Sequence, residues 1–166
     1  MPNDILMKYG AQQTITAAIA GLASDTDLRA GLESSVIDNT TDGYEDIILS
    51  GFITVGTGPT ASRVIEVWAV AWNGSGWPDV FDGTTSAETI TSADIKNSIC
   101  KSVASISTNN TADRRYDFTG VSARNVFGGV LPSKFVLFVT HSTVANLNST
   151  ASNQALYYEG VKPQVQ

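Results

Sequence analysis

Val64-Ile65-Glu66-Val67-Trp68-Ala69-Val70-Ala71-Trp72 is the stretch that decides the fold. β-Branched and aromatic residues fit a pleated strand, and Gly, Pro, Asn and Ser bound the run on both sides. One face of such a strand carries Val64, Glu66, Trp68, Val70 and Trp72. The other carries Ile65, Val67, Ala69 and Ala71. Both faces are apolar, which marks a central strand or one covered by a partner. Phe135-Val136-Leu137-Phe138-Val139-Thr140 has the same character.

Weaker strand signals surround these two runs. Tyr44–Val55 reads as a strand whose second half alternates, with Leu49, Gly51, Ile53 and Val55 on one face. Ile99–Ser107, Tyr116–Val121 and Gln154–Val161 read as further strands, and Gln13–Leu22 as another. Thr41-Asp42-Gly43 is a hairpin-type turn signal. Single helical turns are expected at Ser92–Lys96 and Ser122–Phe127, the latter ended by Gly128-Gly129. Residues 1–12 lack a clear period and read as an arm or an edge segment. The count reaches about seven to nine short strands, with no long helix between them to make a parallel crossover. The expectation is all-β: one antiparallel, jelly-roll-like β-sandwich over residues 13–166, preceded by an irregular arm over 1–12.

The chain has 166 residues, enough for one well-filled core. Charged residues make up only 16%, against roughly 25% in ordinary soluble domains. Ser and Thr carry the polarity instead, which suits hydroxyl-rich sheet faces or a surface covered by neighbours. The net charge of -6 argues against nucleic acid and anionic membranes, which need a basic footprint. Arg114-Arg115 is the one adjacent basic pair, and Asp113 and Asp117 flank it. The first residues lack the pattern of an export signal, so synthesis in a reducing cytoplasm is expected. The sequons at Asn39, Asn73, Asn109 and Asn148 then reflect only polar loops.

Motifs that carry chemistry are sparse. Cys100 is alone and reads as a buried small hydrophobe. His141 is the only histidine, and it reads as a strand-end residue. Asp38–Gly43 has the look of a calcium loop, but its twelfth position is Leu49 where a bidentate Glu is needed. Asp42, Asp79 and Asp82 could serve a looser calcium site, or simply cap turns. Glu66 and Glu88 are acids of the kind glycosidases pair, with nothing in the sequence to bring them together. No catalytic residue, metal ligand or cofactor is therefore assigned. Trp68 and Trp72 are expected to fill the core beside Val64 and Val70. Trp77, in a loop before Pro78, and Tyr44 are the candidates for a contact surface, because aromatics are enriched at interfaces.

Three stretches in order carry a resemblance. They are Leu32-Glu33-Ser34-Ser35-Val36-Ile37-Asp38-Asn39-Thr40; Ile65–Ala69 leading to Pro78-Asp79-Val80-Phe81-Asp82-Gly83; and Phe127–Pro132 leading to Phe138-Val139-Thr140-His141. Together they resemble small virion structural proteins of tailed bacteriophages, most of all capsid decoration (cement) proteins. The resemblance spans about Leu32 to Tyr158. It implies a non-enzymatic role, the major capsid protein as partner, and a homo-oligomer, commonly a trimer. It also implies a place on the capsid exterior after synthesis in the host cytoplasm. The alternative is a carbohydrate- or receptor-binding module of a phage tail or head fibre.

Overall fold

The two apolar runs lie side by side. Lys134–His141 pairs antiparallel with Arg63–Ala71, setting Phe135 opposite Ala71, Leu137 opposite Ala69 and His141 opposite Ile65. Only a central position covers both faces of such strands, and these two sit near the middle of their sheet. A computed structural model describes residues 5–165. Its strands are β1 (Ile5–Tyr9), β2 (Gln13–Ile15), β3 (Ala30–Glu33), β4 (Ile37–Asp38), β5 (Asp46–Thr54), β6 (Arg63–Ala71), β7 (Ala87–Thr89), β8 (Cys100–Thr108), β9 (Arg115–Ser122), β10 (Lys134–His141) and β11 (Gln154–Val165). Two short helices, α1 (Ala93–Ile99) and α2 (Ala123–Val126), and a 3-10 turn at Ala151–Asn153 complete the described residues. No helix among them is long and apolar enough to cross a membrane.

The strands form two antiparallel sheets. Sheet I has the order β7-β3-β10-β6-β8, with β4 also on β10. Sheet II has the order β1-β11-β5-β9, with β2 also on β11. The chain passes between the sheets from β2 to β3, from β4 to β5, from β5 to β6, and at each step from β8 through β11. These crossings make the chain an antiparallel β-sandwich.

The core lies between the sheets. Sheet II contributes Ile47, Leu49, Ile53 and Leu156; sheet I contributes Ile65, Val67, Ala69, Phe135, Leu137 and Val139, all buried. Each of the Val, Leu, Ile and Phe side chains stabilises the fold by roughly 1.5–3 kcal/mol through removal from water. A second apolar cluster sits on the other face of sheet I. There Val70, Val136, Phe138 and Cys100 meet Phe81 and Ile90 from the long connection between β6 and β8, which lays a lid over that face. Phe81 meets Phe138 edge-on, centroids 5.5 Å apart.

Several expectations need revision. Trp68 does not fill the inter-sheet core. It lies half-buried on the lid side, because its indole N–H needs an acceptor and Glu66 Oε2 supplies one at 2.9 Å. Trp72 also stays half-buried, near the Lys134 ammonium. Of Gln13–Leu22 only Gln13–Ile15 is strand; the chain then leaves the β11 edge, buries Ile19, and turns at Gly21 with φ of 72°. The Asp42-Gly43 turn exists but joins strands of different sheets. Asn39 closes it by accepting from the Tyr44 N–H at 2.7 Å and donating to the Tyr44 carbonyl at 2.9 Å.

Of the arm expected over 1–12, residues 1–4 lie outside the described residues. Ile5–Tyr9 takes the edge-strand alternative, pairing with Val161–Val165. β11 thus runs beyond Val161, where it leaves β5. Pro163 is tolerated in this strand because β5 no longer asks for its N–H.

Candidate functional site

Glu33 closes β3 and is fully buried, directly opposite Phe138. The chain turn at Asp82-Gly83 brings backbone donors to it: Gly83 N–H to Oε1 at 2.8 Å and Asp82 N–H to Oε2 at 3.2 Å. The carboxyl oxygens of Glu33, Asp82 and Glu88 lie within 4.8 Å of one another. Burial pushes the Glu33 carboxyl up from its ordinary 4.5 to about 7. The two N–H donors oppose that, and the Asp82 and Glu88 charges reinforce it. Near neutral pH the group is poised between acid and carboxylate. Among the described residues this is the acid set close enough to hold a shared proton or a hard cation. Asp82 also caps its own turn through Thr84, whereas Asp79 accepts from the N–H and hydroxyl of Thr91, twelve residues further on, and ties two parts of the lid together.

A second charged group sits under the same lid. Lys96 on α1 is buried and donates to Glu66 Oε2 at 2.7 Å and to the Leu28 carbonyl at 2.6 Å. Its ammonium stands 4.7 Å from the Trp68 ring centroid. The ion pair therefore bolts α1 onto the outer face of β6. Glu66 serves this cluster and Glu88 the other, so the two acids work apart.

The remaining reactive side chains are enclosed. His141 is fully buried; its Nε2–H donates to the Leu22 carbonyl at 2.9 Å and its Nδ1 faces Thr143 Oγ1 at 2.9 Å. Leu22 O can only accept, which fixes the tautomer. Desolvation lowers the pKa of this imidazole, so it stays neutral. Cys100 is buried, and burial pushes its thiol up to about 12.

Neither aromatic candidate projects freely. Trp77 is half-buried against the lid cluster; a Cβ on Gly83 would come within 2.7 Å of its indole nitrogen. The Tyr44 ring lies over Gly160, where no Cβ would fit. They pack against different clusters and do not share a surface. Two shallow clefts open elsewhere. One, about 270 Å³, is lined by Gly21, Gly56, Thr57, Asp113, Asn146, Leu147, Asn148 and Ser149. The other, about 190 Å³, lies on the outer face of sheet II, where the Arg115 guanidinium covers Phe52 at 3.7 Å and pairs with Asp117 at 2.6 Å beside Tyr157.

Comparison of the chain with protein-family models, curated proteins and solved structures finds no match. The functional reading therefore rests on the geometry. The Glu33 cluster and the Glu66–Lys96 pair had no signature in the sequence, since each joins residues thirty or more positions apart.

Proposed function

We propose that the protein is a non-enzymatic virion structural protein of a tailed bacteriophage, one that binds the assembled capsid as a decoration protein. One observation carries the reading: the two sheets are finished differently. Sheet I is covered on both faces, by the core and by the lid. Sheet II is covered on one face only. Its outer face offers half-buried Ile48, Phe52 and Tyr157 among Ser50, Arg115 and Asp117. An apolar and aromatic patch mixed with hydroxyls and an Arg fits a protein partner. The acidic balance suits a shell exterior better than contact with packaged nucleic acid.

The test is co-sedimentation of the purified chain with expanded, undecorated capsids of the phage that encodes it. Saturable binding that raises the capsid disruption temperature is expected, because the ligand stabilises only the assembled state it binds. Absence of binding refutes the reading. The Asp113–Asn148 cleft, rich in hydroxyl and amide groups, favours the second reading, a glycan-binding module; glycan affinity lost on Asp113→Ala would support it.

A further inference from the structure

His141 ends β10 at the mouth of the inter-sheet core. The strand alternates, so His141 follows Phe135, Leu137 and Val139 onto the core side. Two connections close that end of the sandwich over it. Leu22, between β2 and β3, offers its carbonyl to His141 Nε2–H and to the Leu147 N–H, both at 2.9 Å. Thr143, after β10, sets its hydroxyl oxygen 2.9 Å from His141 Nδ1 and 2.8 Å from the Ala145 carbonyl. While the ring is neutral, one hydroxyl hydrogen faces two acceptors and one of them goes without. The next residue is strained as well: Val144, β-branched and 54% exposed, has φ of 74°. Firm anchors flank the segment. The Ser142 N–H donates to the Val64 carbonyl at 2.9 Å, and Leu147 is buried in the core. Between them three backbone donors and acceptors tie Thr143–Asn146 down. The Val144 N–H donates to Ser24 Oγ at 3.0 Å, the Thr60 N–H to the Thr143 carbonyl at 3.0 Å, and the Gly56 N–H to the Asn146 carbonyl at 3.1 Å.

We infer that Thr143–Asn146 is a latch released by protonation of His141. The second proton enters at Nδ1, since Nε2 already carries one for the Leu22 carbonyl. Thr143 then accepts from Nδ1 and turns its own hydroxyl to Ala145. That recovers one neutral hydrogen bond, but it leaves a full charge in an enclosed site, and the desolvation of the charge is the larger effect. Burial opposes the charged ring; the Leu22 carbonyl and the Asp25 charge favour it without reversing that sign. Among the described residues no carboxylate bonds to the ring. The Asp25 carboxylate is occupied by the N–H groups of Asp27, Arg29 and Ala30. β6 sets Ile65 opposite His141, and Thr143–Asn146 carries no ionisable side chain. Lifting the latch between its two anchors gives the imidazolium water and relaxes Val144. It also withdraws Asn146 from the wall of the Asp113–Asn148 cleft, so acid reshapes that cleft. The device is independent of capsid binding.

The test is amide hydrogen exchange of the full chain, followed by NMR from about pH 8 to about pH 5 and corrected for the intrinsic pH dependence of exchange. Protection of the Val144, Thr60 and Gly56 amides should fall by about tenfold or more across the titration of the ring. The Ser142 and Leu147 amides, which are the anchors, should keep theirs, as should β6. The His141 ring signals should titrate with the same midpoint as the loss of protection. His141→Gln keeps a donor for the Leu22 carbonyl and should abolish the pH dependence; the ring midpoint decides the matter in the wild type alone if that variant does not fold. Protection that ignores pH overturns the inference. So does protection lost equally at Ser142 and Leu147, a midpoint that differs from that of the ring, or a pH dependence retained in folded His141→Gln.

Discussion

Glu33 should make this protein less stable as pH rises through neutrality. Its carboxyl titrates at about 7 in the folded chain and at its ordinary 4.5 once unfolded. Between those values the folded state holds a proton that the unfolded state has released, so stability falls with increasing pH. The gap corresponds to about 3 kcal/mol, most of it expressed between pH 5 and pH 8. His141 acts in the opposite sense. Its lowered pKa leaves the folded imidazole neutral, so its contribution is present above about 6.5 and lost as pH falls. The two effects overlap near pH 6 and must be separated.

The Glu33→Gln variant separates them, because it removes one titration and leaves the other. Its amide still accepts one backbone N–H, but its NH2 meets the second donor, so its absolute stability carries a fixed cost. The informative quantity is the difference between the two proteins as a function of pH. Urea unfolding at pH 5 and pH 8 should show the wild type losing about 2–3 kcal/mol relative to Glu33→Gln. In thermal unfolding the same loss is about 6–10 °C. Parallel stability profiles for the two proteins would refute the reasoning. They would mean that water or the two N–H donors already stabilise the carboxylate.

Lys96→Met strands the Glu66 carboxylate under the lid and should cost about 3 kcal/mol; Glu66→Gln in the same chain should recover part of it, read as coupling in a double-mutant cycle by urea unfolding. Gly31→Ala drives a Cβ into the Val139 carbonyl and to 2.6 Å from Phe138, whereas Gly58 has open space at a positive φ. The first should lose well over 2 kcal/mol and the second about 1, and equal losses would contradict the close approach of β3 to β10. Trp77→Ala should lower stability by about 2–3 kcal/mol through the lid cluster, and an unchanged melting temperature would return Trp77 to the contact surface.

The sequence discloses the strands better than it discloses their neighbours. β5, β6, β8, β9 and β10 are legible because alternation and turn residues are local signals. Which face of β6 enters the inter-sheet core is not, since Val64, Trp68 and Val70 are as apolar as Ile65, Val67 and Ala69. The choice is made by Lys96 and Glu66, which give the Trp68 indole a polar partner on the lid side. β1 was illegible for a related reason. Leu6 interrupts its alternation, and its partner strand lies at the other end of the chain. Glu33 reads as one more acid near a strand end until the turn at Asp82-Gly83, about fifty residues later, arrives to bury it.

The stretches Leu32–Thr40, Ile65–Gly83 and Phe127–His141 are physically joined. Glu33, from the first, accepts from Asp82 and Gly83 of the second. Phe81 of the second meets Phe138 of the third edge-on, and Phe127 packs against Phe135 at 5.4 Å. The Glu33 contacts and the Phe81–Phe138 pair belong to the lid over the outer face of sheet I, whereas Phe127 and Phe135 belong to the inter-sheet core. The lid has a consequence for binding. With the lid over the centre of the outer face of sheet I, the open sheet face left for a broad partner is that of sheet II, where Phe52, Tyr157 and Arg115 lie. Variants that loosen the lid, such as Trp77→Ala, should lower stability without changing the proposed shell affinity. Substitutions at Phe52 or Arg115 should do the reverse.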